Sequence, residues 1–157
     1  MVTALLNALD LHNNAVLRGL RKIDTSSCDA KGQDGCQLWL DLDAVWARRR
    51  EQVLTLKHAQ VHVVVQQHRV LIVRVTVRNF ALAIVVAHAP HSGRPVAEVV
   101  LFWRTLVVSV RNAVKKDDRV LFLGDTNAHV HSRKLDEMAH AAYFMEAMRD
   151  LGMHVAP

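Results

Sequence analysis

The amino-acid sequence predicts an α/β fold built on a mainly antiparallel sheet that one helix crossover extends. Three β-branched runs at 61–65, 70–77 and 80–87 are joined by segments of four and two residues. Connections this short allow antiparallel neighbours but not a parallel return, which needs a dozen or more residues. A helical stretch at 96–115 then separates the third run from an apolar run at 120–124, the arrangement of a crossover to a parallel strand.

Length and composition fit one globular domain. The chain has 157 residues, of which 51% are hydrophobic and 22% charged, and this excludes the composition of disordered proteins. The longest charge-free apolar stretch, at 80–87, has eight residues, well below the roughly 18–20 of a membrane-spanning helix. The first eleven residues lack the basic start of a secretory signal, and two cysteines fit a reducing compartment. We therefore expect an intracellular protein without a membrane segment.

The charge balance favours a polyanionic partner. The formal net charge is +5 at pH 7, and a basic protein concentrates phosphates near its surface. The one dense basic cluster, Arg48 to Arg50, is more typical of a solvated surface than of a phosphate track. Nucleic acid is therefore a possible partner that charge alone does not specify.

The first quarter of the chain has weaker periodicity than the rest. Leucines and valines at near-helical spacing predict a helical segment at 1–23, interrupted at Asn13 and Asn14. Residues 24–35 have loop composition, and the alternation at 37–42 predicts a strand with one buried face. We assign residues 24–157 to the main domain.

The second half predicts a helix, a strand and another helix. Pro95 fits a first helical turn because proline lacks an N–H that would be unsatisfied there. The apolar stripe of this helix consists of Val99, Phe102, Leu106, Val110 and Val114. The continuously apolar run at 120–123 predicts a strand buried on both faces. Apolar residues from Met138 to Met148 mark the last helix, and Gly152 follows its end.

Polar segments follow two of the predicted strands, His-Ala-Pro-His-Ser-Gly at 88–93 and Gly-Asp-Thr-Asn-Ala at 124–128. The crossover brings His88 and Asp125 to the same end of neighbouring strands, where open α/β sheets bind ligands. Asp125 and Asn127 could activate and orient a water, while the His88 imidazole could transfer a proton or stabilise a phosphate oxyanion. The alternative is an ordinary turn, because glycine, aspartate and asparagine favour turns.

These two motifs together resemble the endonuclease/exonuclease/phosphatase superfamily, whose deoxyribonuclease I-like members cleave phosphate esters with a divalent metal. The segment 29–40 further resembles the strand entry of superfamily domains in retrotransposon-like reading frames. The resemblance covers residues 24–157 and implies a partial deoxyribonuclease I-like α/β sandwich. It also implies nuclease activity and a Mg²⁺ or Mn²⁺ cofactor.

The resemblance assigns a role to each matching position. His88 takes the place of the histidine or tyrosine that contacts the scissile phosphate. Asp125 would align and deprotonate the attacking water, and Asn127 would orient that aspartate and help to stabilise the transition state. His91 lies where relatives keep a polar residue near the phosphate, which implies a phosphate-binding role.

Two features of the family pattern are missing. The metal-binding glutamate should lie on an early strand, but no glutamate precedes Glu51. Asp10 is the candidate for a degenerate substitute, so the metal ligands stay unknown. The family also ends in an Asp-His pair, whereas this sequence stops at Pro157, and we therefore expect the second half of the sandwich to be absent.

Other residues that suggest chemistry have simpler interpretations. His58 and His62 would lie roughly 13 Å apart on a strand, too far for one metal ion. His129 and His131 follow Asn127 and could face the phosphate, but solvent exposure is favoured. The tryptophans could stack bases or fill the core, and the core interpretation is favoured for Trp39, Trp46 and Trp103. Cys36 is expected to be a small buried hydrophobe.

Two functional hypotheses follow. The first is a metal-dependent phosphodiester hydrolase of the endonuclease type that acts on nucleic acid. The second is a non-catalytic remnant of a mobile-element or split-gene nuclease that at most binds polyanions. In either case, an incompletely covered sheet is expected to promote self-association.

Overall fold

The structure is a computed structural model that describes residues 20–24, 35–43, 45–49, 52–57, 59–91, 93–128 and 135–154. Within these ranges it contains eight strands and two helices. The strands are β1 (Leu20–Asp24), β2 (Gln37–Asp41), β3 (Val45–Arg49), β4 (Gln52–Thr55), β5 (Gln60–Gln67), β6 (Val70–Val77), β7 (Phe80–His88) and β8 (Arg119–Asp125). The helices are α1 (Val96–Ala113) and α2 (Leu135–Asp150).

The central sheet has the strand order β5-β6-β7-β8. β5, β6 and β7 form an antiparallel meander, and β8 joins β7 in parallel after the α1 crossover. Two antiparallel strand pairs, β1-β2 and β3-β4, accompany this sheet. The predicted α/β fold with a mainly antiparallel sheet and one helix crossover is therefore confirmed.

The two faces of the central sheet contribute to two separate cores. On the helix face, Val85 and Ala87 of β7 pack with Val99, Trp103 and Leu106 of α1. The opposite face is called the hairpin face here because β1 and β2 cover it. Its core joins Leu82 and Ile84 of β7 to Ile23, Leu38 and Leu40. Side chains alternate between faces along a strand, so each residue of β7 has a defined side.

The helices pack on each other through aromatic side chains. Trp103 of α1 and Phe144 of α2 lie with ring centroids 5.3 Å apart, and Ala147 and Met148 belong to the same core. α2 ends as the sequence predicts, because Gly152 takes the left-handed conformation with φ of 65°. Within the described ranges no helix is long and apolar enough to cross a membrane.

β5 contains an irregularity that changes which side chains are buried. Its register with β6 shifts between Val63 and Val65, so one extra residue lies in β5. The shift turns the strand, and Val61 packs in the hairpin-face core whereas Val65 packs in the helix-face core. Val63 and Val64 are each 43% exposed beside the bulge.

The predictions for the first quarter of the chain need correction. The helical segment predicted at 1–23 is wrong for residues 20–23, which lie in β1, and its remainder lies outside the described residues. β1 forms because it pairs with β2 along its whole length and buries Ile23. The pair β3-β4 was not predicted, because strands of five and four residues are too short to show a clear periodicity.

The prediction that β8 is buried on both faces is also wrong. In the described part of the chain β8 pairs with β7 alone, and its central residues from Val120 to Leu123 are only half-buried. Its apolar run still serves both cores, since Val120 and Phe122 pack on the helix face and Leu121 and Leu123 on the hairpin face.

Candidate active site

The candidate site lies where the parallel strands β7 and β8 end. In their register His88 is the direct partner of Asp125, the last residue of β8. The predicted convergence of these two side chains at the carboxyl ends of neighbouring strands is confirmed. The same edge also carries the β5-β6 turn, because β5 runs parallel to β7 two strands away.

Both side chains belong to the hairpin face. His88 follows Ile84 and Val86 at even spacing along β7, and these residues pack in the hairpin-face core. Asp125 follows Leu123 in the same way along β8. His88 is half-buried and Asp125 is exposed. The imidazole and the carboxylate therefore lie at the rim of this core, where solvent and a ligand can reach them.

Gly124 makes the close pairing of the two strand ends possible. A Cβ atom added at this position would collide with the carbonyl oxygen of Ala87 on the neighbouring strand. Only glycine lacks a Cβ, so the residue before Asp125 can approach β7 here without displacing it. The close approach of the two strands therefore explains why the Gly-Asp-Thr-Asn motif begins with glycine.

Beyond β8 the chain forms a turn organised by Asp125. The backbone N–H of Asn127 donates to Oδ1 of Asp125 over 3.0 Å. Asn127 adopts φ of 46°, a left-handed conformation that asparagine tolerates better than most residues. One carboxylate oxygen is thereby held by the backbone, which fixes the orientation of the carboxyl group.

The side chain of Asn127 joins the two strand ends. Its Nδ2 donates to the carbonyl oxygen of Ala89 over 2.8 Å, and the backbone N–H of Ala89 donates to the carbonyl oxygen of Asp125 over 2.9 Å. The expectation that Asn127 orients Asp125 therefore has a geometric counterpart in its backbone N–H. Its carboxamide holds the loop after β7 at a fixed place beside the carboxylate.

His91 is exposed and held by its own turn. The backbone N–H of Gly93 donates to Nδ1 of His91 over 3.1 Å, and Arg94 donates to the carbonyl oxygen of His91 over 3.0 Å. Because Nδ1 accepts a hydrogen bond, the proton of the neutral ring is on Nε2. His91 can therefore donate from Nε2 to an anion that approaches the loop after β7.

Two residues from outside the motifs support His88. The backbone N–H of His88 donates to the carbonyl oxygen of Arg69, and Nη1 of Arg69 lies 3.4 Å from the carbonyl oxygen of His88. Cys36, just before β2, is 3% exposed. Burial raises the pKa of its thiol to about 11, opposed by a hydrogen bond with the His88 backbone and by the positive charge of Arg69. The interpretation of Cys36 as a buried hydrophobe is confirmed.

Sequence reasoning missed Arg69, which belongs to no motif. The signal was present in the meander, because a turn between β5 and β6 must lie at the same sheet edge as the end of β7. Trp103 is buried, as predicted, and Trp39 is half-buried. Asp10, His58, His129 and His131 lie outside the described residues, and so does the side chain of Trp46.

The donors present do not by themselves make a metal centre. Among the described residues no group of three or more His, Cys, Asp or Glu side chains could hold a metal ion. Asp125 offers one carboxylate, with Oδ1 already accepting a backbone hydrogen bond. Mg²⁺ prefers an octahedral oxygen shell anchored by one or two carboxylates and substrate phosphates. No chemical step can therefore be assigned to a metal from these residues.

Comparisons with known proteins support the fold. No protein-family model matches the sequence, and no curated protein matches it. A solved structure, described as the endonuclease domain of TRAS1, a telomere-specific non-LTR retrotransposon, matches with a TM-score of 0.59 and 17% sequence identity. The match covers 88% of this chain and 55% of that chain. This chain therefore has an endonuclease-like, retrotransposon-type fold and spans about half of the length of that domain.

Proposed function

From this shared fold we propose that the chain carries a phosphodiester-hydrolysing site of the endonuclease type, formed by His88, Asp125 and Asn127. The observation that carries the proposal is the direct pairing of His88 with Asp125 at the carboxyl ends of two parallel strands. An acid-base pair at such an edge is accessible to a ligand and held by the rigid sheet.

The groups at this edge suit attack of water on a phosphodiester. Asp125 accepts a proton from a water molecule whose oxygen bonds to phosphorus, the bond between phosphorus and the leaving oxygen breaks, and the leaving oxygen takes up a proton from solvent. His88 donates a hydrogen bond to a non-bridging oxygen and stabilises the added negative charge. Asn127 keeps the Asp125 carboxylate oriented through its backbone N–H. His91, with Nε2 free to donate, binds the neighbouring phosphate.

The substrate proposed is nucleic acid. The net charge of +5 favours a polyanion, and the name of the matching structure refers to an endonuclease of a retrotransposon. The resemblance in the sequence also implies Mg²⁺ or Mn²⁺. We propose that binding of such an ion requires oxygen donors in addition to Asp125, because one carboxylate is a weak site for a hard cation.

A second candidate function is binding of polyanions without hydrolysis. The specific observation in its favour is that, among the described residues, the site offers one carboxylate, Asp125, and no group of three or more side chains that could hold a metal ion. In that case His88, His91 and the nearby Arg69 would still hold a phosphate. The first candidate function cleaves the bound strand, whereas the second leaves it intact.

Nicking of a supercoiled plasmid by the purified chain in Mg²⁺ or Mn²⁺ tests the proposal. We expect slow nicking that Asp125→Ala abolishes, because this substitution removes the group that accepts the proton. Asp117→Ala is the matched control, since Asp117 is an exposed aspartate just before the opposite end of β8. Nicking that survives Asp125→Ala would contradict the proposed site. Binding without any nicking by the unsubstituted chain would favour the second candidate.

A further inference from the structure

We infer that the edge of β8 that faces away from β7 pairs with the same edge of a second copy of this chain, in antiparallel orientation. In the described part of the chain β8 pairs with β7 alone. The other side of such a strand presents a row of N–H and C=O groups to which a further strand can bind. This side is called the outer edge of β8 here. The inference concerns assembly and is independent of the proposed hydrolysis.

The two edge strands of the central sheet, β5 and β8, differ in regularity. β5 contains a bulge between Val63 and Val65, and a bulge protects an edge because it twists the strand away from an incoming one. β8 pairs with β7 without a register shift and contains neither proline nor lysine. Its central residues, Val120 to Leu123, are apolar and only half-buried. Pairing at the outer edge of β8 would bury more of this apolar surface.

The direction of the backbone groups determines which residues of β8 can pair at its outer edge. The C=O of Asp125 points towards β7, because it accepts the hydrogen bond from the N–H of Ala89 over 2.9 Å. The N–H and C=O of one residue point to the same side of a strand, and this side alternates along the chain. The backbone groups of Val120, Phe122 and Gly124 therefore lie at the outer edge.

One antiparallel register pairs all of these outer groups. When two copies of β8 are centred on Phe122, this residue lies opposite its own counterpart, and Val120 lies opposite Gly124 of the second copy. Each of these positions is then a hydrogen-bonded pair, in which the two residues exchange both N–H to C=O bonds. A two-fold axis passes through the centre, so every contact occurs twice and the assembly closes as a dimer.

The same register is complementary in side-chain charge. It places Arg119, at the start of β8, opposite Asp125 of the second copy, and Leu121 opposite Leu123. Arg119 and Asp125 are both exposed. Opposite charges that face each other across two antiparallel strands attract, and side chains come closest at positions without hydrogen-bonded pairing, as here. Because β8 itself supplies both members of each pair, a second copy fits this edge better than an unrelated strand.

Sedimentation velocity of the full chain over a range of concentrations tests the inference. We expect a monomer–dimer equilibrium. Arg119→Glu puts a carboxylate opposite Asp125 twice in the dimer and should weaken association by about tenfold or more. Asp125→Arg puts two arginines opposite each other and should weaken association similarly. Arg104→Glu, on the exposed side of α1, makes the same change in net charge as Arg119→Glu and should leave the dissociation constant unaltered.

An equal mixture of the Arg119→Glu and Asp125→Arg chains provides the most specific result. In a dimer with one copy of each, opposite charges face each other at both positions, so the mixture should associate as tightly as the unsubstituted chain. Recovery in the mixture would also show that both variants fold. A mixture that stays monomeric while the unsubstituted chain dimerises would overturn the inferred register.

Amide hydrogen exchange locates the contact. At a concentration where about nine tenths of the chain is dimeric, exchange at Phe122 should slow by about tenfold, because it then occurs from the remaining monomer. The amide of Leu121 points towards β7 and should show no such dependence on concentration. A chain that stays monomeric at every concentration would overturn the inference and leave the edge to a strand from a different protein. Association without a change at Phe122, or growth beyond the dimer, would also contradict it.

Discussion

The aspartates at the two ends of β8 differ in burial and in hydrogen-bond partners. Before β8, Asp118 is paired with Arg74 at 2.6 Å, and its side chain is only 1% exposed. After β8, Asp125 is exposed, and the hydrogen bond described for its carboxylate comes from the Asn127 backbone. One aspartate thus holds the fold together, whereas the other is kept oriented and accessible. Binding of a ligand requires the second arrangement, because the Asp118 carboxylate is already occupied by Arg74 and is shielded from solvent.

The largest expected effect comes from the paired end. Asp118→Ala removes the partner of Arg74 and also the acceptor of the Lys115 backbone N–H. Breaking a buried ion pair on one side costs about 3–5 kcal/mol, and partial exposure of Arg74 places the expected loss near the lower value. Urea denaturation measures it. Asp125→Ala removes one exposed hydrogen bond and should lower the free energy of unfolding by no more than about 1 kcal/mol, and equal losses in the two variants would remove the contrast.

The next effect concerns the approach of β8 to β7 at the site. Gly124→Ala places a methyl group against the carbonyl oxygen of Ala87, so the strand ends must separate. We expect a loss of about 1–3 kcal/mol, the usual cost of overpacking, and a weaker hydrogen bond from Ala89 to Asp125. Amide hydrogen exchange at Ala89 reports the local separation. Gly152→Ala separates the two causes of a loss, since its added methyl group meets no atom within 4 Å and any destabilisation of about 1–2 kcal/mol comes from its left-handed φ of 65°.

The smallest expected effect on stability concerns Cys36, which is buried beside the backbone of His88. Its pKa of about 11 is above the ordinary 9.0, so the thiol stays protonated in the folded chain when an unfolded thiol would ionise. The stabilising effect of burial is present below pH 9 and is lost as the pH rises from 9 towards 11.

Alkylation measures this effect in a Cys28→Ser background, which leaves Cys36 as the one thiol of the sequence. At pH 8 the folded chain should react with iodoacetamide at least about 100-fold more slowly than the urea-unfolded chain, because its thiolate fraction is lower and Cys36 is only 3% exposed to the reagent. Comparable rates in the two states would mean that the Cys36 thiol is accessible to solvent in the folded chain, and this would contradict its burial.

The parts of the fold that the sequence predicts well are local. β6, β7 and α1 have long, uninterrupted patterns, and the short turns between strands leave one topology for the meander. Convergence of His88 with Asp125 follows from that topology alone. The roles of His88, Asp125, Asn127 and His91 remain predictions.

The features that the sequence does not predict depend on distant partners. β1 is a strand because β2 pairs with it, and the bulge in β5 becomes apparent only from its register with β6. Arg69 reaches the site through a turn that carries no motif. In each case the interaction that determines the structure joins residues far apart in the sequence, and the local sequence pattern does not indicate it.

The central claim is that the edge carrying His88 and Asp125 binds phosphate, whereas the opposite end of β8 does not. Titration of the isotopically labelled chain with a thymidine dinucleotide, which has one phosphodiester, tests it by NMR without any catalysis. The account predicts saturable shifts of the amide signals of His88, Asp125 and Asn127, with those of Arg74 and Asp118 unchanged. Shifts centred on Arg74 and Asp118, or no shift at the ends of β7 and β8, would contradict it.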